Sequence, residues 1–309
     1  MRIAIIGAGG VGGYYGALLA RAGCDVSFIA RGAHLAAICE GGLRVIGPLG
    51  DFTVRVRAGS DPTALRTVDA VIVAVKTYDN VTAFPLIPPL LGPHSTVLTL
   101  QNGVDSAEHL AASVGEAAVV AGATYVAAEI EAPGVIRQTG THRRVVFGEF
   151  FNPRAEPSDR VRRLAAAMQA ADIQVEAVAD ARPPLWEKFI YLAPFAAVTG
   201  AARMPFGPLW SDIDVRSVFL QAVAEVEAIA RASGIAVAGD IGQRIQRYAA
   251  ELPSTTRSSL LIDLAQQKRI EVESLLGDVV RRGRVLRVPT PTMTALYAVL
   301  KPHAGGRPA

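Results

Sequence analysis

Gly7, Gly9 and Gly12 stand in the spacing G-x-G-x-x-G, within the run Gly7-Ala8-Gly9-Gly10-Val11-Gly12. Each lacks a side chain for a different reason. Gly7 permits a tight turn, Gly9 lets the backbone approach a pyrophosphate, and Gly12 lets a helix pack close on a strand. The helix N-terminus that follows offers free N–H groups and a positive dipole end to an anion. The implied ligand is a dinucleotide. About twenty residues further on, a carboxylate would favour NAD by bonding the ribose hydroxyls. This chain has Arg31 there instead, and a guanidinium fork suits a 2′-phosphate. The residues thus point to NADP (NADPH). Other polar candidates are Lys76 and Asn102, each just past an apolar run, Lys188 in the first turns of a later helix, and Ser259 and Glu271 further on.

These groups need elements to hold them. Residues 3–6 form an apolar strand running into the glycine turn, and a helix is predicted over 14–22. Strands follow at 25–29, 69–75, 95–100 and 118–123, with a hairpin over 42–57 and a short helix at 34–40. The runs at 69–75 and 95–100 are continuously apolar, as strands buried on both faces are. Lys76 and Asn102 follow them, at the carboxyl ends where open α/β sheets bind ligands. Two further strands are expected at 134–140 and 145–149, then a helix over 159–171 and a strand at 174–178. From Trp186 the strand pattern stops, and helices are predicted at 184–201, 212–233, 239–250, 258–265 and 268–282. The fold class is therefore α/β: a Rossmann-type, doubly wound parallel sheet over 1–180, then an all-helical domain over 181–309. A cofactor fold followed by a helical domain usually binds its substrate between the two. Residues 302–309 are expected to fray.

Composition narrows the function classes. The chain has 309 residues, half of them hydrophobic and 19% charged, with a net charge of +3. That is enough for two cores and too little positive charge for a dedicated nucleic-acid binder. Cys24 and Cys39 make neither a disulfide framework nor a metal-type spacing, so no metal is expected. No signal peptide and no run of 18 apolar residues is found, so no membrane association and a cytoplasmic location are expected. The apolar stretch 218–230 fits packing within the domain or across a homodimer.

Six motifs in order make the chain similar to the ketopantoate reductases (2-dehydropantoate 2-reductases). They are the glycine run, Val75-Lys76-Thr77-Tyr78, Gln101-Asn102-Gly103-Val104, Trp186-Glu187-Lys188-Phe189, Ser258-Ser259-Leu260-Leu261-Ile262-Asp263 and Ile270-Glu271-Val272-Glu273. The resemblance spans residues 3 to about 277. It implies NADPH-dependent reduction of a 2-oxo acid, the small-molecule substrate, to a 2-hydroxy acid. Lys188 would be the general acid, and Glu271 would pair with or orient it, or contact the nicotinamide ribose. Asn102 would hydrogen-bond cofactor and substrate, Lys76 would contact the cofactor or the substrate carboxylate, and Ser259 the substrate. The chemistry is sound on its own terms: hydride addition builds negative charge on oxygen, which a placed ammonium both stabilises and protonates. Glu273 is a second carboxylate close to Glu271, and Ser258 a capping rival to Ser259.

The departures bear on the substrate. Where the resemblance calls for substrate-reading asparagines, this chain has Leu192, Ala196 and Phe206, and Leu276 stands before Gly277 in place of another. A site stripped of hydrogen-bonding partners loses or redirects its choice of substrate. A more apolar 2-oxo acid, branched or aromatic, is thus as acceptable as ketopantoate. The alternatives are a D-2-hydroxy-acid dehydrogenase of the same fold and, in another class, a non-catalytic NADP-binding sensor.

Overall fold

The computed structural model describes residues 1–306, and these fall into two compact units. One comprises residues 1–101 and 106–181, the other residues 102–105 and everything from Arg182 onward. A single cut at 180/181 has no place for the four residues 102–105, which group with the second unit although they follow a strand of the first.

The first unit is built on one ten-stranded sheet. Its strands are β1 (Arg2–Ile6), β2 (Asp25–Ile29), β3 (Leu43–Ile46), β4 (Phe52–Val54), β5 (Arg57–Gly59), β6 (Val68–Val73), β7 (Leu91–Thr99), β8 (Val119–Ala132), β9 (Val135–Glu149) and β10 (Gln174–Asp180). They lie in the order β4-β3-β9-β8-β7-β6-β1-β2-β5, with β10 also on β9. All neighbours are parallel except β3/β4 and β8/β9. The helices of this unit are α1 (Gly10–Arg21), α2 (Gly32–Gly41), α3 (Asn80–Ala83), α4 (Ser106–Val114) and α5 (Asp159–Ala170). As predicted, Ala70, Val71, Ile72 and Val73 of β6 are wholly buried, because a parallel strand is covered on both faces. The chain runs from β1 to β2 on one side and returns to β6 on the other. The strand order therefore reverses between β1 and β6, the crevice where α/β sheets hold ligands.

Several predicted elements of this unit differ: β7 starts at Leu91, β8 runs on to Ala132, and Arg57, expected in the hairpin, opens β5, which pairs with β2. Helix α1 starts at Gly10, not at residue 14, because Gly9 is already its N-cap. Gly12 and Gly13 are helical despite their poor propensity, since tertiary packing overrides it. The two strands expected at 134–140 and 145–149 are one strand, β9. Gly140 has φ +76° but does not end the strand; pairing with β8 merely shifts register between Tyr125 and Ala127.

The second unit is helical: α6 (Arg182–Ala202), α7 (Phe206–Ser211), α8 (Ile213–Ala232), α9 (Ile241–Glu251), α10 (Ser259–Ala265), α11 (Asp278–Leu286) and α12 (Pro291–Leu300). Pro183 and Pro184, just past the expected boundary at 180/181, sit in the first turn of α6, where proline costs no hydrogen bond. Phe219, Ala222, Val223, Val226, Ile229 and Ala230 of α8 are buried in this unit's own core, so the apolar stretch 218–230 is used internally. The helix expected over 268–282 begins only at residue 272, and its first turns are a π-helix, Glu273–Gly277. Helices α7 and α12 were not anticipated; α12 is mostly apolar and is announced only by Thr290 and Pro291. Residues 302–306 are not frayed. Lys301–His303 form a 3₁₀ turn, and the Ile270 N–H donates to the Ala304 carbonyl at 3.2 Å. Residues 307–309 of that expectation lie outside the described residues.

A buried ion pair closes the first unit. Glu149, at the end of β9, is 5% exposed. It accepts from Ser158 Oγ at 2.6 Å and from Arg160 Nε at 2.8 Å, and Ser158 also caps α5. Burial pushes the Glu149 carboxyl up, but the hydrogen bonds from Arg160 and Ser158 outweigh it and hold the group below its ordinary range. Its stabilisation is therefore present above the unfolded carboxyl pKa and is lost as acid titrates the folded group. Arg160→Ala should cost about 3–5 kcal/mol at neutral pH by stranding the carboxylate. Denaturant unfolding measures this; a loss under about 1 kcal/mol would show that water replaces the guanidinium.

Candidate active site

Each unit carries its own set of polar groups. In the first, the glycine turn follows β1. The Gly7 N–H donates to the Ile29 carbonyl at 3.1 Å, and Gly7 has φ +98°, a left-handed conformation that favours glycine. A methyl group at Gly12 would lie 2.1 Å from the Gly7 carbonyl oxygen, and one at Gly10 would lie 2.0 Å from the Ala128 carbonyl oxygen. Internal packing thus explains Gly7, Gly10 and Gly12. It does not explain Gly9: a methyl group there would meet no protein atom within 4 Å. The missing side chain leaves an open cradle at the start of α1, which fits a pyrophosphate laid against the backbone. Ala8 is buried, and Val11 packs half-buried against the core.

Arg31 is the N-cap residue of α2, just past β2. Its side chain is 71% exposed and its Nη2 pairs with Asp79 Oδ2 at 2.8 Å. Asp79 closes a 3₁₀ turn, Thr77–Asp79, that starts immediately after Lys76. Lys76 is half-buried. Nearby, Gln101 Nε2 donates to the Val75 carbonyl at 2.9 Å and to Asn80 Oδ1 at 2.6 Å, tying the end of β7 to the loop after β6.

In the second unit, Lys188 lies in the second turn of α6, the helix on which the buried rings of Trp186 and Phe189 meet edge to face with centroids 5.7 Å apart. Lys188 Nζ donates to Asn102 Oδ1 at 3.0 Å. Burial pulls the Lys188 ammonium down to about 8, against the opposing pull of the Glu271 carboxylate. Glu271 is 5% exposed. Its carbonyl accepts from the Leu275 N–H at 3.1 Å and from Ser274 Oγ at 3.3 Å, which fixes it at the head of the π turn. Single π turns often mark functional positions. Next to Asn102, Gly103 has φ +102°, so the sharp turn there is one that glycine takes without strain.

The two glutamates separate clearly. Glu273 is exposed, accepts from Tyr297 Oη at 2.8 Å and pairs with Arg281 at 3.0 Å; Glu271 is the carboxylate coupled to Lys188. The serines separate as well. Ser258 is the buried N-cap of α10, accepting from the Leu261 N–H at 3.0 Å, whereas Ser259 is exposed. Lys188, Asn102 and Glu271 thus form one cluster, and no described hydrogen bond joins Ser259 to it. Ala196 and Phe206 are each 1% exposed. The Phe206 ring stacks in a cluster with Phe195, Trp210 and Phe219, and only Leu192 of the three substituted positions is part-exposed. Residues 196 and 206 are therefore core, not lining. The sequence reading did not single out His34, Asp79 or Gln101, whose side chains hold the loops around the glycine turn.

Comparison with known proteins gives a consistent result. Residues 3–152 match the family model for ketopantoate reductase PanE/ApbA, and residues 180–304 match its C-terminal counterpart. The chain is 32% identical to the 2-dehydropantoate 2-reductase of Mesorhizobium japonicum, with 97% of each chain covered. Among solved structures it is similar to a PanE/ApbA family ketopantoate reductase from Ralstonia eutropha JMP134 (36% identity, TM-score 0.89, 98% of each chain). It is also similar to a 2-dehydropantoate 2-reductase from Geobacter metallireducens GS-15 (30% identity, TM-score 0.90, 97% of this chain and 99% of that one). Among the described residues, no helix is long and apolar enough to cross a membrane and no His, Cys, Asp and Glu cluster could hold a metal ion.

Glu271→Gln removes the carboxylate that props up the Lys188 ammonium, so the lysine should titrate lower still than about 8. Only four of the 31 Lys and Arg residues are lysines, so side-chain NMR with Lys188→Ala as the assignment control can follow it directly. An unmoved or raised titration would show that Glu271 is not the counter-charge.

Proposed function

The chain belongs to the ketopantoate reductase family, a nicotinamide-dependent oxidoreductase family, and from that premise we propose that it reduces a 2-oxo acid of the 2-dehydropantoate type to the 2-hydroxy acid, using NADPH. The observation that carries the reading is the part-buried Lys188, bonded to Asn102 and poised near pKa 8. A proton donor works best when its pKa lies near the working pH, and an ordinary lysine at about 10.4 does not.

The bound dinucleotide supplies the hydride, which adds to the ketone carbon. Lys188 Nζ gives its proton to the ketone oxygen as charge develops there, and before that its positive charge stabilises the oxygen. Asn102 accepts one of the three ammonium donors and so aims the others. Glu271 opposes the burial that lowers the lysine's pKa and so favours its protonated form. Gly9 and the first N–H groups of α1 receive the pyrophosphate. Exposed Arg31 supports the choice of NADPH over NADH, since its guanidinium is free to turn one face to a 2′-phosphate while Asp79 holds the other. Lys76, next to the same turn, serves as a cationic contact for cofactor or substrate carboxylate, and exposed Ser259 as a substrate contact. Of the three substituted positions only Leu192 is part-exposed, and an apolar side chain there removes a hydrogen-bonding partner, which favours tolerance of branched or aromatic 2-oxo acids.

Following NADPH oxidation across 2-oxo acids tests the reading. Lys188→Ala should cut kcat by about 10²–10⁴-fold while leaving cofactor binding in place. A variant that keeps its rate would remove Lys188 from the chemistry, and no oxidation with any 2-oxo acid would sink the reductase reading. The sign of the pH dependence is fixed: reduction needs the ammonium, so kcat/KM is level below pH 8 and falls above about 8. The reverse oxidation needs the free amine and rises over the same window. Arg31→Ala should weaken NADPH about 10–100-fold and NADH little, by loss of charge-assisted hydrogen bonds; equal losses for both cofactors would count against a 2′-phosphate contact.

A further inference from the structure

His34, in the first turn of α2, bridges two loops of the first unit. Its Nε2 lies 2.8 Å from the Ala8 carbonyl oxygen, and its Nδ1 lies 3.0 Å from the Gly134 amide nitrogen, in the turn between β8 and β9. The tautomer follows from the partners. A backbone N–H can only donate, so Nδ1 must be unprotonated; the ring then carries its proton on Nε2 and donates it to Ala8. Half-burial lowers the His34 pKa, with the Ala8 carbonyl partly opposing it, so the neutral form that this geometry requires is also the favoured one.

The Ala8 carbonyl is one end of the Ala8–Gly9 peptide. No described peptide bond is cis, and in a planar trans peptide the C=O and the following N–H point in opposite directions. Holding the Ala8 oxygen on the His34 side therefore holds the Gly9 N–H away from it. Gly9 is also the position whose missing side chain leaves open space. A glycine resists peptide rotation less than any other residue, so without a restraint this plane could turn over and present a carbonyl oxygen where an anion must bind. We infer that His34 is a positioning residue for the dinucleotide: it pins the Ala8–Gly9 peptide so that the glycine turn offers an N–H, not a C=O, to the pyrophosphate.

The inference rests on the cofactor reading above and extends it to a residue that touches no ligand. Its test is a set of equilibrium titrations on the full chain with NADPH, NADH and adenosine 2′-monophosphate, the last lacking the pyrophosphate altogether. His34→Phe keeps the bulk and loses the hydrogen bonds; His34→Gln restores a donor to Ala8. The expected result for His34→Phe is about tenfold weaker binding of both dinucleotides, with the monophosphate unchanged, an unchanged ratio of NADPH to NADH affinity, and partial recovery in His34→Gln. Dinucleotide binding by His34→Phe equal to the unsubstituted chain would overturn the inference. So would an equal loss of all three ligands, which marks a general failure of the unit rather than a misdirected peptide. An unsubstituted chain that binds neither dinucleotide overturns the cofactor reading and this inference together, so the two failures are told apart by which protein shows them.

Discussion

The ammonium of Lys188 donates to Asn102 at 3.0 Å, and burial draws its pKa to about 8 although Glu271 pulls the other way. Around it the helical unit is overwhelmingly apolar: Trp186, Phe189, Ile190 and Ala193 on the same helix are all buried. Removing a charge from water among such neighbours is costly unless a counter-charge and hydrogen-bond partners go with it. Much of the unit's irregular structure is explained by that requirement. The chain brings in Asn102 from outside the helical sequence, turns sharply at Gly103, and opens the helix that follows Glu271 with a π turn.

The first unit solves a different problem with backbone alone. Its glycines are not interchangeable. In the turn after β1, Gly7, Gly10 and Gly12 are glycine because a side chain would strike the protein itself, whereas at Gly9 a side chain would occupy space the protein leaves open. Side chains enter indirectly, by fixing loops: His34 on Ala8, Asp79 on Arg31, Gln101 on Val75 and Asn80.

The sequence revealed the parallel strands best, because strands covered on both faces must be continuously apolar, and β6 and β7 read that way. It revealed helix edges worst. Gly12 and Gly13 look like turn residues but pack inside α1, and the π turn at Glu273–Gly277 has no periodic signature because it breaks the period. Gly140 looked like a strand end and is an irregularity within β9. Lys188 could not be recognised from its own surroundings, since a lysine in a helix is ordinarily solvated; the similarity of the motifs around it singled it out. A compositional signal was present as well. A chain that uses arginine for nearly all its positive charge keeps four lysines, and one of them, the part-buried Lys188, bonds to Asn102, where an amine that can lose its proton differs most from a guanidinium that cannot. The substituted positions 192, 196 and 206 were legible as a loss of polarity. That two of them had become core was not, because burial depends on partners distant in sequence.

Residues 102–105 carry one more consequence, for inheritance. They lie in the middle of the sequence that encodes the sheet, yet group with the helices. The two family models divide the chain so that Asn102 falls in the first, 3–152, and Lys188 in the second, 180–304. A genetic exchange at the obvious joint near residue 180 would deliver the lysine from one parent and its hydrogen-bond acceptor from another. The helical unit is encoded in two places, so an exchange of halves preserves it only if the other parent supplies a matching acceptor at position 102.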